Sequence, residues 1–424
     1  MGKHLQHDAG RWIVAGVLLL LAIAPAQLAT ATGALAQQTS VHRKGVEAHR
    51  AEVAGDKSLT TFRMGLSRGV RAEIFTLADP YRVIIDLPDV SFHLPERAGQ
   101  RAQGVITAFR YGLIAEGKAR IVIDTSGPVL IKKANMTAKG SGEAVELAIE
   151  LAPTSASSFG TGTGGTRAEP PVAEKAPKPV PVGPRQERSK PLILVDAGHG
   201  GIDPGATSAG SLKEKTVVLA VAQALKTQLA ASGRYEVRMT RQADVFVSLD
   251  QRLKMSRDLD ADLFISLHAD AIAQKGLAQT VRGATVYTLS EQASDEEARR
   301  MAEKENNSDA VAGLQTANFE GEGEVRSILI DLLKRETSNF SADFSNILVK
   351  RLGTSISLSG RPQRSAAFKV LRQADTPSVL IELGYMSHPE DEKLLNSAAW
   401  QRRVAAAIGT AVDAYFSRRT AKAP

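Results

Sequence analysis

A chain of 424 residues is longer than one ordinary hydrophobic core supports, so two domains with connecting segments are expected. Hydrophobic residues at 43% and charged residues at 23% describe a globular chain, and a formal charge of +7 suits a polyanionic partner without choosing among nucleic acid, membrane surface and acidic polymer. The absence of cysteine excludes disulfides, thiolate metal sites and cysteine nucleophiles.

The chain opens on the modestly basic MGKHLQHDAGR. The next run, WIVAGVLLLLAIA (12–24), is apolar but shorter than the roughly 20 helical residues that cross a bilayer. Ala34 and Ala36 follow in the small-residue pattern of a signal peptidase site. Residues 1–36 therefore read as a signal peptide of the general secretory route, with an uncleaved anchor as the alternative. Arg11 has no arginine beside it, so no twin-arginine signal is present. The mature chain is expected to begin near Gln37, to work outside the cytoplasm and to contain no transmembrane segment, which argues against nucleic acid as the polyanion.

After a lead-in at 37–58, residues 59–151 read as a small all-β sandwich. RAEIFTLADPYRVIIDLPDV (71–90) pairs two strand-like runs around Asp79-Pro80, and KARIVIDTSGPVLIKKANM (118–136) does so around Ser126-Gly127-Pro128. AVELAIEL (144–151) alternates as a half-buried strand does. No cluster of histidine or carboxylate has site-like spacing here; the region is either a binding module or a structural spacer. Residues 152–190 are dominated by proline, glycine, serine and charge without any structural period, and read as a linker.

From 191 to 419 the period changes to alternating strands and helices, which predicts an α/β domain with a mixed twisted sheet flanked by helices. Strands are expected at PLILVDAG (191–198), YEVRMTR (235–241), ADLFISLHAD (261–270), GATVYTLS (283–290), FKVLRQ (368–373) and SVLIELGYM (378–386). Helices are expected over 211–233, 248–259 and 397–419. Ligands of such sheets gather at the carboxyl ends of strands. Two of the three histidines after the linker, His199 and His268, fall there; Asp270 follows, Glu382 lies in the last strand and Glu214 in the first turn of the first helix. Two histidines with a carboxylate suit a four-coordinate zinc with an open position. Taken singly, His268 also reads as a satisfied core histidine and Glu382 as a buried salt-bridge partner, although a bare carboxylate in an apolar strand calls for a cation.

LILVDAGHGGIDPGA, LKEKTVVLAVAQAL, MTRQADVFVSLDQR, DLFISLHADA and SVLIELGYMSHPEDE occur in an order that resembles the zinc-dependent N-acetylmuramoyl-L-alanine amidases of the division type, over about residues 190–418. The β-rich region resembles the AMIN domain that often precedes them. The resemblance implies peptidoglycan as substrate, one Zn2+ held by His199, Glu214 and His268, and Glu382 as the catalytic glutamate. It implies a periplasmic enzyme enriched at the septum, with AMIN-mediated wall targeting. The glycines around His199 are expected to turn the chain sharply and bring its imidazole to the metal. Arg241 and Arg252 either position anionic substrate groups or serve the structure.

About 77 residues separate GATVYTLS from FKVLRQ, too many for a structureless loop in a compact domain. The insert, residues 291–353, contains the helix-forming EQASDEEARRMAEKENNSDAVAGL and the amphipathic VRSILIDLLKRETSNFSADFSNILVKRLG. Similar inserts in division amidases cover the active site until a LytM-type activator removes them. The plugging glutamate of that family matches Glu305, in Glu305-Asn306, and Asp270 is a second additional zinc ligand of the resting state. A zinc peptidase acting on the stem peptide and an inactive wall-binding scaffold are the alternatives.

Overall fold

The computed structural model describes residues 45–422 except 141, 161–187, 273–275, 277, 279, 315–327 and 374. The proposed signal peptide, most of the linker and the acidic stretch after Leu314 lie outside the described residues. No described helix is long and apolar enough to cross a membrane.

The N-terminal domain is a two-sheet β sandwich. It is built from β1 (Val46–Gly55), β2 (Thr60–Leu66), β3 (Glu73–Leu77), β4 (Arg82–Pro88), β5 (Val90–Phe92), β6 (Ile106–Ala115), β7 (Lys118–Thr125), β8 (Val129–Ala138) and β9 (Val145–Pro153). The sheets run β5-β1-β2-β9-β8 and β3-β4-β7-β6. Alternation sends Phe62, Met64, Leu147 and Ile149 from one sheet, and Val83, Ile85, Ile121 and Ile123 from the other, into a common core. The first strand, β1, lies within the segment read from sequence as a lead-in: VEAHRAEVAG buries only its first alternate residues, too weak a period to stand out. On β4 and β7 the opposite-facing Ile84 and Val122 are buried too, against residues of the second domain.

That second domain holds β10 (Leu192–Ala197), α1 (Glu214–Ala231), β11 (Glu236–Met239), α2 (Leu249–Asp258), β12 (Leu263–His268), β13 (Ala284–Leu289), α3 (Glu296–Asn306), α4 (Ser308–Val311), α5 (Ile328–Gly353), β14 (Leu358–Ala366), β15 (Ser378–Glu382), α6 (Pro389–Leu395) and α7 (Ala398–Lys422). The sheet order is β11-β10-β12-β15-β13-β14. All neighbours are parallel except β13 and β15, so the sheet is mixed. Side-chain parity assigns the faces. Ile193, Val195, Ile265, Leu267, Val379 and Ile381 meet α1, α5 and α7, whereas Leu194, Phe264 and Leu380 meet α2 and α3. Covering on both sides is why these strands read as unbroken apolar runs.

In the second domain, FKVLRQ and β14 differ from the sequence expectation. FKVLRQ is a single 3-10 turn, Lys369–Leu371, rather than a strand; Val370 and Leu371 are buried side by side, which a pleated strand with one buried face would not do. The edge strand β14 escaped notice because LSGRPQRSA is polar and carries a proline, a residue that sheets accept at their edges.

Candidate metal and catalytic centre

The parity that places Leu194, Phe264 and Leu380 under α2 and α3 also places Asp196, Ser266, His268 and Glu382 there, at the carboxyl ends of three adjacent strands. Residues His268 and Glu382 are register partners across β12 and β15. His199 lies just beyond β10, in a turn where its own φ is 56° and those of Gly200 and Gly201 are 124° and 55°. The left-handed conformation therefore falls on the histidine as well as on the glycines; a non-glycine residue holds it only where its surroundings fix it. At Gly198, a Cβ would come within 2.5 Å of the His268 ring, so only glycine lets the two imidazoles approach.

His199 Nε2 lies 3.1 Å from Glu214 Oε1 and 3.3 Å from Glu305 Oε2. His268 Nδ1 lies 3.2 Å and 3.1 Å from the same two oxygens. Both nitrogens are buried and have no hydrogen-bond geometry to any described group. Two buried imidazole nitrogens without hydrogen bonds, facing the same two carboxylate oxygens, suit the ligands of one cation. A tetrahedral zinc with ligand distances near 2.0–2.2 Å sets its ligand atoms about 3.3–3.5 Å apart, close to these separations. His199, His268 and Glu305 form a group that could hold a metal ion; Glu214 is not part of that group but lies 3.1 Å and 3.2 Å from the two histidine nitrogens. Carboxylate and imidazole donors fit zinc chemically.

Each candidate ligand is held from behind. His199 Nδ1 bonds Asp203 Oδ2 at 2.8 Å, which fixes the nitrogen offered to the metal. Glu214 accepts from the Ala269 and Ala206 backbone N–H groups, each at 2.8 Å. On α3, Ala298, Met301, Ala302 and Glu305 are the buried residues, a helical stripe whose last member is the carboxylate. Asn306 latches the helix by donating to the Ala367 carbonyl at 2.9 Å and accepting from Lys369 N–H at 2.7 Å. The cleft beside the cluster is lined by Leu249, Arg252, Asn306, Ser308, Phe368 and Val370, so α3 and the turn after it roof the site.

The electrostatics describe a pocket built for positive charge. Burial alone would push the imidazoles down, but the charges of Asp203, Glu214 and Glu305 hold His199 well above its ordinary pKa, and Glu305 with Glu214 holds His268 up at about 10. Burial works to raise Glu214 and Glu305 as well, and the imidazole charges override it and lower both. For Glu382 burial prevails: the His268 charge lowers it, but burial, with the nearby Glu214 and Glu305 charges, raises it to about 8. Its Oε2 accepts from Asp270 N–H at 2.9 Å, while Oε1 has no partner among the described residues.

Three expected residues take other roles. Asp270 is expected as a zinc ligand, but its carboxylate pairs with Lys304 and accepts from Ala271 N–H, outside the converging group. Arg241 and Arg252 are buried and engaged with backbone carbonyls. Arg241 donates to the carbonyls of Ala197, Gly198, Lys215 and Ala243. Arg252 donates to those of Ala197, His199 and Val247 and pairs with buried Asp196. Each therefore spends most of its five donors on the histidine loop and its supports. The sequence reading passed over Asp196, Asp203 and Lys304. The one signal for Asp203 was its position four residues after His199, which suits an acidic turn former equally well.

With this geometry in view, residues 193–414 match the N-acetylmuramoyl-L-alanine amidase family and residues 52–151 match the AMIN domain. N-acetylmuramoyl-L-alanine amidase AmiC of Neisseria meningitidis is 33% identical over 346 residues, 80% of this chain and 73% of that protein. AmiC of Escherichia coli O6:H1 is 30% identical over 375 residues, 85% of this chain and 87% of that protein. AmiA of Escherichia coli K12 is 36% identical over 236 residues, 55% of this chain and 79% of that protein.

Proposed function

The chain belongs to the N-acetylmuramoyl-L-alanine amidase family, and from that premise we propose that it is a zinc-dependent periplasmic hydrolase, held silent by its own insert, that splits septal peptidoglycan as daughter cells separate. The bond cut joins the lactyl group of N-acetylmuramic acid to L-alanine of the stem peptide. The observation that carries the zinc reading is the convergence of His199 Nε2, His268 Nδ1, Glu214 Oε1 and Glu305 Oε2 at 3.1–3.3 Å.

His199, Glu214 and His268 hold the metal in the working enzyme. Zinc supplies Lewis acidity there, polarising the amide carbonyl and making water a better acid. Glu382 is the general base: its Oε1 takes the proton of the attacking water and later delivers it to the leaving amine nitrogen. Burial that raises the carboxyl to about 8 suits a group that must both accept and release a proton near neutral pH. Backbone donation from Asp270 to Oε2 leaves Oε1 for that exchange.

Glu305 is the plug. Its carboxylate occupies the fourth corner of the ligand set, and α3 covers the cleft that substrate must enter. A LytM-type activator would favour the lifted state by binding the ILIDLLKR segment, residues 328–335. The AMIN domain would bring the enzyme to the wall and enrich it at the septum; a fluorescent fusion of residues 37–152 that spreads evenly round the envelope counts against this. The central test measures bound metal and products together on purified sacculi. One zinc per chain with free muramic lactyl groups is expected, and His268→Ala should lose both. A cut within the stem peptide would instead identify a peptidase.

A further inference from the structure

We propose that the N-terminal β domain is itself part of the lock: its β3-β4-β7-β6 sheet clamps the trailing end of the plug helix and so holds Glu305 in the metal site. The inference rests on the reading of the insert as a lid and adds the element that keeps the lid shut.

Helix α3 is followed by the single turn α4 and then by Ala312, Gly313 and Leu314. A helix end leaves its last carbonyls without intrahelical partners. Here four consecutive carbonyls are taken by arginines of three adjacent strands. Arg82 of β4 donates to Ala310 O. Arg110 of β6 donates to Val311 O at 2.7 Å. Arg120 of β7 donates to Ala312 O at 3.2 Å and Gly313 O at 3.1 Å. Positive charge at a helix C-terminus is favourable in its own right. The arginines are aimed beforehand: Arg120 forms a two-pronged pair with Asp86, and Arg110 pairs with Asp124.

Between the arginines the contact is apolar. Leu77, Ile84 and Val122 of the sheet form one buried cluster with Ala312, Ile202 and Phe246. Gly313, at φ 70°, lies so close that a Cβ there would come within 2.7 Å of Ile84 Cδ1 and 3.0 Å of Val122 Cγ2. The same domain reaches the other side of the metal site. Leu113 O accepts from Ile202 N–H and from Phe246 N–H, both at 3.2 Å, and Ile202 lies three residues after His199. The β domain thus bridges the loop that carries His199 and the turn that follows the Glu305 helix. Drawing it away from the catalytic domain would remove every hydrogen bond that α4 makes to the sheet.

The test uses the full mature chain and two independent substitutions outside the catalytic machinery. Ile84→Asp puts a charge into the contact while the sandwich core, which faces the other way, is untouched. Gly313→Leu acts from the insert side and leaves the β domain as it is. Basal release of dye from labelled sacculi is read beside Glu305→Ala, with hydrogen exchange over residues 296–314 and sacculus pull-down as companions. Both clamp variants should raise the basal rate by about tenfold or more and speed exchange over 309–314. Gly313→Leu should still bind sacculi, and adding Ile84→Asp to Glu305→Ala should bring little further gain because both act on one lid. If Glu305→Ala is activated while both clamp variants stay as quiet as wild type, or exchange over 309–314 is unchanged in both, the clamp is overturned and the lid stands. If Glu305→Ala itself stays quiet, the lid reading fails and the clamp falls with it.

Discussion

Asp203→Asn isolates the support behind one metal ligand without changing the ligand set. Both oxygens of Asp203 are committed: Oδ2 to His199 Nδ1 at 2.8 Å and Oδ1 to Gly205 N–H at 3.0 Å. An amide offers one acceptor and one donor, so whichever way Asn turns, an N–H faces an N–H. The residue is 3% exposed, so water cannot relieve the mismatch. Leaving a buried donor unsatisfied costs about 1–3 kcal/mol, and loss of a carboxylate behind a metal-binding histidine typically weakens the metal by about 10–100-fold. These agree, since 100-fold corresponds to about 2.7 kcal/mol. Competition with a chromophoric chelator at fixed pH measures the change. The variant should fold as wild type by circular dichroism, bind zinc in that weakened range, and recover most of its turnover when zinc is saturating. Zinc affinity within about threefold of wild type would refute the reasoning, because the support would then lie elsewhere than in this hydrogen bond.

Glu382→Gln should keep zinc and lose turnover by roughly two to four orders of magnitude; metal analysis beside a sacculus assay checks it, and activity within about tenfold of wild type would mean another group takes the proton. In the metal-free protein the neighbouring carboxylates hold His199 well above its ordinary pKa and raise His268 to about 10, so His268 holds its proton at neutral pH. For His268 that stabilisation is complete below its ordinary value of 6.5 and is lost as pH rises through about 10. Zinc needs neutral imidazole, so its binding at pH 7 should release protons and its apparent affinity should rise with pH. Calorimetry in buffers of different ionisation enthalpy counts those protons, and none released at pH 7 sinks this account of the pocket.

How far the sequence carries depends on what each residue competes against. His268 and Glu382 are legible because a polar side chain at the end of an unbroken apolar run is costly to bury unless a partner or a metal meets it there. Glu305 is different: polar residues surround it in sequence, and only the stripe of Ala298, Met301 and Ala302 marks its helix face as buried. That stripe is short, and Lys304 and Asn306 beside it read as ordinary surface residues until the strand ends facing them are known. Arginines 241 and 252 show the reverse limit. Their charge suggests an anionic substrate, yet the turn at His199 leaves several carbonyls needing donors, and that need is visible only once the backbone path is fixed. The inter-domain contact was hidden for a similar reason. RVIIDLP reads as a strand, and its extra apolar residue Ile84 signals burial on both faces, but nothing in the pattern names Ala312 as what covers it.

The adjacency of Lys304 and Glu305 bears on how the proposed lid could be reversible. Glu305 reaches the two histidines, and the neighbouring Lys304 reaches Asp270, whose backbone N–H donates to Glu382. The helix therefore enters the site with one negative and one positive group, and each meets a group of opposite sign. When it leaves, it takes both. Neither state strands a net charge in a buried pocket, where an unpaired charge would cost several kcal/mol. A plug carrying Glu305 alone would leave Asp270 buried and unmatched beneath it, and one carrying Lys304 alone would repel the metal. The adjacent pair avoids both penalties, which keeps the closed and open states near enough in energy for a binding partner to choose between them.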